Sequence, residues 1–268
     1  MIKALPALLA CFLASSITCA MADDIPRNIV TELAPNGKLR VAINFGNTVL
    51  AQKDLATGAP RGISAELARE LAKRLGVPIE FTGFDAAGKV VDALKTTGWD
   101  IAFLAIDPVR AAGIDFTGPY VVIEGSYVVP SNSPLRTVED VDRASVRIAV
   151  ARASAYDLYL TRAIKHATLI RESSGPEALE LFLRDKLEAA AGVKQPIVAF
   201  AQAHPDTRVI PGRFMAIEQA MGTPKGRADG VRYLRKFVEE MKASGFVANA
   251  LKESGQGDAA VAPSTPVQ

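Results

Sequence analysis

The sequence predicts an α/β protein made of two similar units in one chain. Three observations carry this. Buried-type strands alternate with amphipathic helices from residue 39 to residue 105, the same alternation restarts after the Gly118-Pro119 turn, and the 268-residue length suits two cores better than one.

The first strand is Leu39-Arg40-Val41-Ala42-Ile43, apolar and partly β-branched. A helix follows, because Ile63, Leu67, Leu71 and Leu75 recur at helical spacing with charges between them, and Gly76 ends it before Val77-Pro78. Ile79 to Phe81 reads as a second strand, Val90, Val91 and Leu94 as a short helix, and Ile101 to Ala105 as a third strand. After the turn, 126–130 and 147–150 read as strands, and Arg152-Ala153-Ser154 leads into a helix holding Asp157 to Leu160. Ser173 or Ser174, with Pro176 and Glu177, opens another helix with good capping chemistry. Residues 187–193 read as a core strand and 219–223 as the return of the chain. Val231, Leu234, Val238 and Met241 mark a last amphipathic helix that ends at Gly245.

Composition narrows the function classes. Half the residues (49%) are hydrophobic and 22% are charged, which is globular. Thirty-one basic residues against 29 acidic ones leave +2, so no charge excess points to nucleic acid. At the N-terminus, Lys3, a short apolar run and Ala20-Met21-Ala22 form a secretory signal pattern, residues 1–22, with cleavage expected after Ala22 and export to the periplasm. Both cysteines, Cys11 and Cys19, lie in that segment, so no disulfide or cysteine metal site is expected beyond it. A lipid anchor on Cys19 competes with cleavage, but Ser16-Ile17-Thr18 is a poor lipidation triplet. The tail GQGDAAVAPSTPVQ reads as low complexity and disordered. No nucleophile triad, phosphate loop or metal-ligand cluster appears, and no cofactor is expected.

Several stretches, taken in order, carry a resemblance: GKLRVAI, RGISAELARELAKRLGVPIEF, GWDIAFLAIDPVRAAGIDFTGPY, VRIAVARASAYDLYL, MGTPKG and KASGF. Over residues 37–254 the chain resembles the extracytoplasmic solute-binding proteins of family 3, the polar amino-acid type of ABC transport. The third stretch is the most specific, since it strings a buried strand, a Thr-Pro-x-Arg-like motif, Asp-Phe and Pro-Tyr. The resemblance implies a type II periplasmic binding fold, two doubly wound sheets in two lobes joined by two hinge strands. It places lobe 1 at 23–121 and 219–255, lobe 2 at 122–218 and a disordered tail at 256–268. It also implies a monomer that closes on a small molecule by hinge motion and serves a membrane permease.

Carried over by position, Arg110 matches the arginine that pairs with the ligand carboxylate, a role its planar fork suits. Ser154 matches a hydroxyl residue at a helix start, where amides favour an anion; an ordinary N-cap is the alternative. The departures are equally informative. Ala105 and Asp107 replace hydroxyl residues, and Lys194 falls near the aspartate that accepts the ligand ammonium, within one residue of register. Asn44-Phe45-Gly46-Asn47 replaces a Tyr-Pro-Pro-Phe type of loop, leaving Phe45 as an aromatic wall or a core residue. Arg152 adds positive charge or is a solvated loop arginine. The expected ligand is therefore a small anionic organic solute rather than a standard amino acid. Two readings compete. One is a dehydratase of the cyclohexadienyl or arogenate type on the same fold, with Glu188, Glu218, Asp107, His166 and His204 as the available acids and bases. The other is a binding module that serves a sensor or a redox system.

Overall fold

A computed structural model describes residues 25–96 and 98–266. The expected signal, its cleavage point and both cysteines lie outside the described residues. In chain order the elements of the first half are α1 (Arg27–Leu33), β1 (Leu39–Asn44), β2 (Gln52–Lys53), β3 (Pro60–Arg61), α2 (Ile63–Leu75), β4 (Ile79–Phe84), α3 (Ala87–Ala93) and β5 (Ile101–Ala105). A 3-10 turn over Arg110–Ala112 leads into the long β6 (Ile114–Pro130). The second half holds β7 (Arg147–Ala151), α4 (Ala155–Ala163), β8 (Thr168–Glu172), α5 (Gly175–Arg184), β9 (Ala189–Val193), α6 (Lys194–Ala203) and β10 (Thr207–Val209). The chain returns through β11 (Met215–Pro224), then α7 (Ala228–Ala243), α8 (Phe246–Glu253) and β12 (Ala260–Val261).

The main sheet runs β4-β1-β5-β11-β6-β9-β7-β8, with β10 and β12 also paired to β6. In the first half β1 pairs parallel with β4 and β5, and in the second β7 pairs parallel with β8 and β9. Between them β6 and β11 run antiparallel. Residues 114–125 of β6 pair with β11, and 125–128 pair with β9, so the strand changes partners where it crosses from one half to the other. The hydrogen-bonded ladder is therefore continuous across the two halves. Each half has helices on both faces: in the first, Leu67, Leu71, Leu234 and Phe237 fill one side and Val90, Trp99 and Ile114 the other. In the second, Leu160 and Ile210 lie opposite Leu181, Phe182 and Ile197.

The sequence signals for α2 translate directly into geometry. Gly76 adopts φ +67°, the left-handed conformation that ends a helix, and its N–H returns to Ala72 and Lys73 carbonyls. At the base of β5, the fully buried Asp100 accepts from Arg40 Nε at 2.9 Å and from Arg227 Nη2 at 3.1 Å, which fixes the strand that leads to Arg110.

The tail expectation is corrected. Residues 256–266 are not disordered: β12 pairs with Val121 and Val122 of β6, Ala259 and Ala262 are buried, and Lys242 Nζ donates to the Pro263 carbonyl at 2.7 Å. Small apolar side chains fit closely against the crossing strand, and backbone hydrogen bonds supply what the side chains lack. The Ala262 N–H donates to the Tyr120 carbonyl at 3.1 Å. Its amide should therefore exchange at least about tenfold more slowly than in a free chain, as hydrogen-exchange NMR would show; free-chain exchange would contradict the packed tail.

Candidate ligand-binding cleft

A cavity of about 50 Å³ lies where the C-terminal ends of the parallel strands of both halves converge. Such convergence is where open α/β sheets bind ligands. From the first half come the loop after β1, the loop between β4 and α3, the end of β5 and Arg110. The second half supplies the β7-α4 turn, Gly175 and Val193, and the crossing strand β11 supplies Ile217 and Gln219.

Arg110 is 3% exposed and forms no ion pair among the described residues. Its Nη1 donates to the Ala105 carbonyl and its Nη2 to the Ala153 carbonyl of the other half, each at 3.0 Å, while Nε has no partner. Burial pushes the guanidinium down to about 10, and the nearby Asp107 charge opposes that shift. The group is still cationic at neutral pH, so the cleft holds a positive charge that is desolvated and lacks a counter-ion in contact. Ala153, whose carbonyl meets it, sits at φ +55°, a conformation uncommon for a non-glycine residue.

Ser154 lines the same cavity as the N-cap of α4: its Oγ accepts from the Asp157 N–H at 3.0 Å, and Asp157 Oδ2 returns to the Ala153 N–H at 2.8 Å. This reciprocal cap fixes the helix start, and Ala155 and Tyr156 of its first turn line the cavity beside Ser154. Burial raises the Tyr156 phenol to about 12, which keeps it a neutral donor. Arg152 also lines the cavity but is exposed at its mouth. Asp85 lines it too, and it accepts from Lys89 at 2.8 Å, which lowers its carboxyl.

Three residues expected at the site stand elsewhere. Lys194 does not face the cavity. It is the first residue of α6, and its Nζ donates to Glu124 Oε2 of β6 at 2.6 Å beside a separate groove of about 490 Å³ on the crossing strands. The strand residue that does line the cavity at that end of β9 is Val193. Asp107 is buried but turned aside: its Oδ1 accepts from the Val109 N–H at 2.8 Å and its Oδ2 from Arg162 Nη2 of α4 at 2.7 Å, an ion pair between the halves. Phe45 packs over Gly83 with Lys53 Nζ 5.1 Å from its ring centre, and it is not a wall of the cavity. Of the carboxylates and histidines weighed for catalysis, Glu188 pairs with Arg147, Glu218 and His166 are exposed, and His204 stacks on Phe200. None of them lines the cavity. Sequence reading passed over Asn47, Asp85 and Gln219. Their signal was weak, being polar residues just after or within apolar strands.

The sequence pattern of the bacterial extracellular solute-binding proteins, family 3, matches residues 46–255. The chain belongs to this family. Family 3 members are extracytoplasmic proteins that bind small molecules and work with ABC transporter permeases. A comparison with curated protein sequences finds no match. Among solved structures, a mutant of ArgBP from T. maritima is similar at 21% identity and TM-score 0.71, covering 85% of this chain and 99% of that one. The solute receptor for L-cysteine of Neisseria gonorrhoeae is similar at 23% identity and TM-score 0.71, covering 84% and 92%. The ancestral amino acid-binding protein AncCDT-1, a precursor of cyclohexadienyl dehydratase, is similar at 23% identity and TM-score 0.68, covering 84% and 97%. At these identities the likeness shows the fold, the two-lobed type II form.

The two lobes touch through Arg110 and Ala153, through Asp107 and Arg162, and at Gly88, where an added Cβ would lie 2.9 Å from the Ala153 Cβ and 3.2 Å from the Arg152 carbonyl oxygen. Gly88→Val should therefore hold the lobes apart. The expected result is a larger radius of gyration in small-angle scattering and ligand affinity at least about tenfold weaker, with little change in lobe stability. Wild-type affinity in this variant would show that closure does not need the contact.

Proposed function

We propose that this family 3 protein captures a small anionic solute through its carboxylate and delivers it to the permease of an ABC transporter, without catalysis. It acts as an extracytoplasmic monomer released by cleavage after Ala22. One observation carries the ligand class: a buried guanidinium at the junction of the lobes, with its Nε unpartnered and no carboxylate in contact. A carboxylate bound there gains charge-assisted hydrogen bonds and removes the cost of an uncompensated buried charge. The amides at the start of α4 support the same anion from the second lobe.

Relatives of this fold bind arginine or cysteine, so amino acids are the ligands to beat. The anionic reading no longer leans on Lys194. It rests on Arg110 and Arg152 against one lining carboxylate, Asp85, already bonded to Lys89, and on apolar Val193 at the end of β9, where no acceptor for an ammonium stands. The non-catalytic reading rests on the absence of Glu188, Glu218, Asp107, His166 and His204 from the cavity lining.

Native mass spectrometry of the purified protein, followed by calorimetry with a panel of organic acids and amino acids, tests the assignment. Arg110→Ala should weaken carboxylate binding by at least about 100-fold, and Arg110→Lys should recover only part of it, because an ammonium lacks the fork. Tight binding that survives Arg110→Ala, or a cationic co-purified solute, overturns the proposal. Turnover of prephenate to an aromatic product would overturn its non-catalytic part.

A further inference from the structure

Gln219 of β11 lines the cavity and is 5% exposed, and its side-chain amide forms no hydrogen bond among the described residues. Both amide atoms keep access to the cavity rather than being sealed in the protein. Other polar side chains of the lining are already engaged: Asn44 Oδ1 accepts from the Gly46 N–H at 3.0 Å, Ser154 Oγ from the Asp157 N–H at 3.0 Å and Asp85 from Lys89 at 2.8 Å. A buried amide left without a protein partner calls for one from outside.

Sheet register places this amide beside the anchor of Arg110. Gln219 is the direct partner of Ala105 in the antiparallel ladder of β11 and β5. The adjacent pair is hydrogen-bonded, with the Ile106 N–H donating to the Glu218 carbonyl at 2.9 Å. Ala105 and Gln219 therefore form the alternate, non-hydrogen-bonded pair, whose Cα atoms stand about 4.5 Å apart with both side chains on one face. Ala105 ends at a methyl, so the longer Gln219 side chain extends past it into the cavity that both line. The Ala105 carbonyl in turn accepts from Arg110 Nη1 at 3.0 Å. Arg110 and Gln219 thus flank one alanine, and the ladder that holds them is independent of where the second lobe stands. The pairing of β11 with β6 is irregular at the same point: Gln219 faces Val121 but Ala220 faces Pro119, which leaves Tyr120 as the extra residue of a bulge. Bulges re-aim the side chains around them and occur beside sites. A primary amide carries two donors and an acceptor. No partner in the protein fixes which end points inward, so the charge of the cleft decides, and an anion beside the guanidinium takes the N–H.

We propose that Gln219 contacts the ligand, its Nε2 donating to the carboxylate that Arg110 holds, which makes it a second residue that selects for an anion. This deepens the carboxylate assignment and rests on it. The probes are acetate, lactate, succinate and citrate, with L-alanine as the amino-acid control, each titrated by calorimetry into the mature wild type, Gln219→Ala and Gln219→Glu. For the carboxylate that binds the wild type most tightly, Gln219→Ala should weaken binding at least about tenfold. Gln219→Glu keeps the shape but replaces the donor with a negative acceptor, so at about pH 8 it should weaken binding at least about 100-fold. At about pH 5 that variant should recover at least about tenfold, because the bound anion keeps the introduced carboxyl protonated and able to donate, while wild-type affinity changes little. A residue that only packs the strand would give no such recovery. In the NMR spectrum of the wild type, the side-chain NH2 pair of Gln219 should shift on addition of the same carboxylate, a readout that stands even if circular dichroism shows a variant to be unfolded. The inference is overturned if both variants bind within about twofold of the wild type, if the NH2 pair does not move, if Gln219→Glu fails to recover at the lower pH, or if that variant gains affinity for L-alanine, which would put Oε1 toward the ligand. Each of those results, in a protein whose binding still needs Arg110, leaves the carboxylate reading standing; absence of all carboxylate binding by the wild type removes both.

Discussion

The arrangement of this molecule turns on one uncompensated charge. A guanidinium buried to 3% exposure is tolerated only where its environment supplies hydrogen bonds and where a partner arrives to share the charge. Two backbone carbonyls, Ala105 from one lobe and Ala153 from the other, supply the first. The anion proposed above would supply the second. Because one of the two carbonyls belongs to the opposite lobe, the same side chain that awaits a ligand also helps define the closed state. On the proposed function, binding and closure would be coupled at this residue, as hinge motion driven by differential affinity requires.

Much of the local design serves to place that side chain. Asp100 anchors the base of β5 between Arg40 and Arg227, so the strand delivers Ala105 and the following 3-10 turn in a fixed position. Asp107 shapes the turn by accepting from the Val109 N–H while its other oxygen reaches Arg162 across the cleft. Opposite, the reciprocal cap of Ser154 and Asp157 holds the start of α4, and Arg171 Nε bonds to Asp157 Oδ1 at 2.9 Å to keep that cap oriented. Among the described residues the lobes meet through this ion pair, the Arg110–Ala153 hydrogen bond and Gly88, and also through Ala155 and Val193, which pack against the core of the first lobe.

The architecture was legible because strands and helices alternate in runs whose periodicity is local. Ile63, Leu67, Leu71 and Leu75 all end buried on α2, and Ile101 to Ala105 is buried throughout β5. What escaped reading depends on contacts distant in sequence or on chemistry that composition disguises. Lys194 and Glu124 are 70 residues apart, so nothing near Lys194 reveals that the hinge strand captures it while Val193 takes the cleft position. The short helix α1 buries one residue, Leu33, and has no side-chain cap, which leaves almost no signal. Gly245, at φ +79°, reads as the end of α7 and is also the point from which α8 begins, so one glycine served two helices and only one was anticipated. The tail resembles a disordered segment in composition, yet alanine, valine and proline suffice where a strand edge supplies the hydrogen bonds. Gln219 offers no sequence signal beyond being polar in an apolar strand, because its place in the cleft depends on pairing with the distant Ala105.

The pairing of β12 with Val121 and Val122 has a consequence for engineering. The chain leaves the fold beside the crossing strand on the side of the first lobe, where hinge rotation displaces it least. A fluorescent reporter joined to that end would report where the protein is and say little of whether it is occupied. An occupancy sensor would instead carry its second fluorophore on the other lobe, in the exposed turn at 184–186 between α5 and β9, so that closure changes its distance from the first.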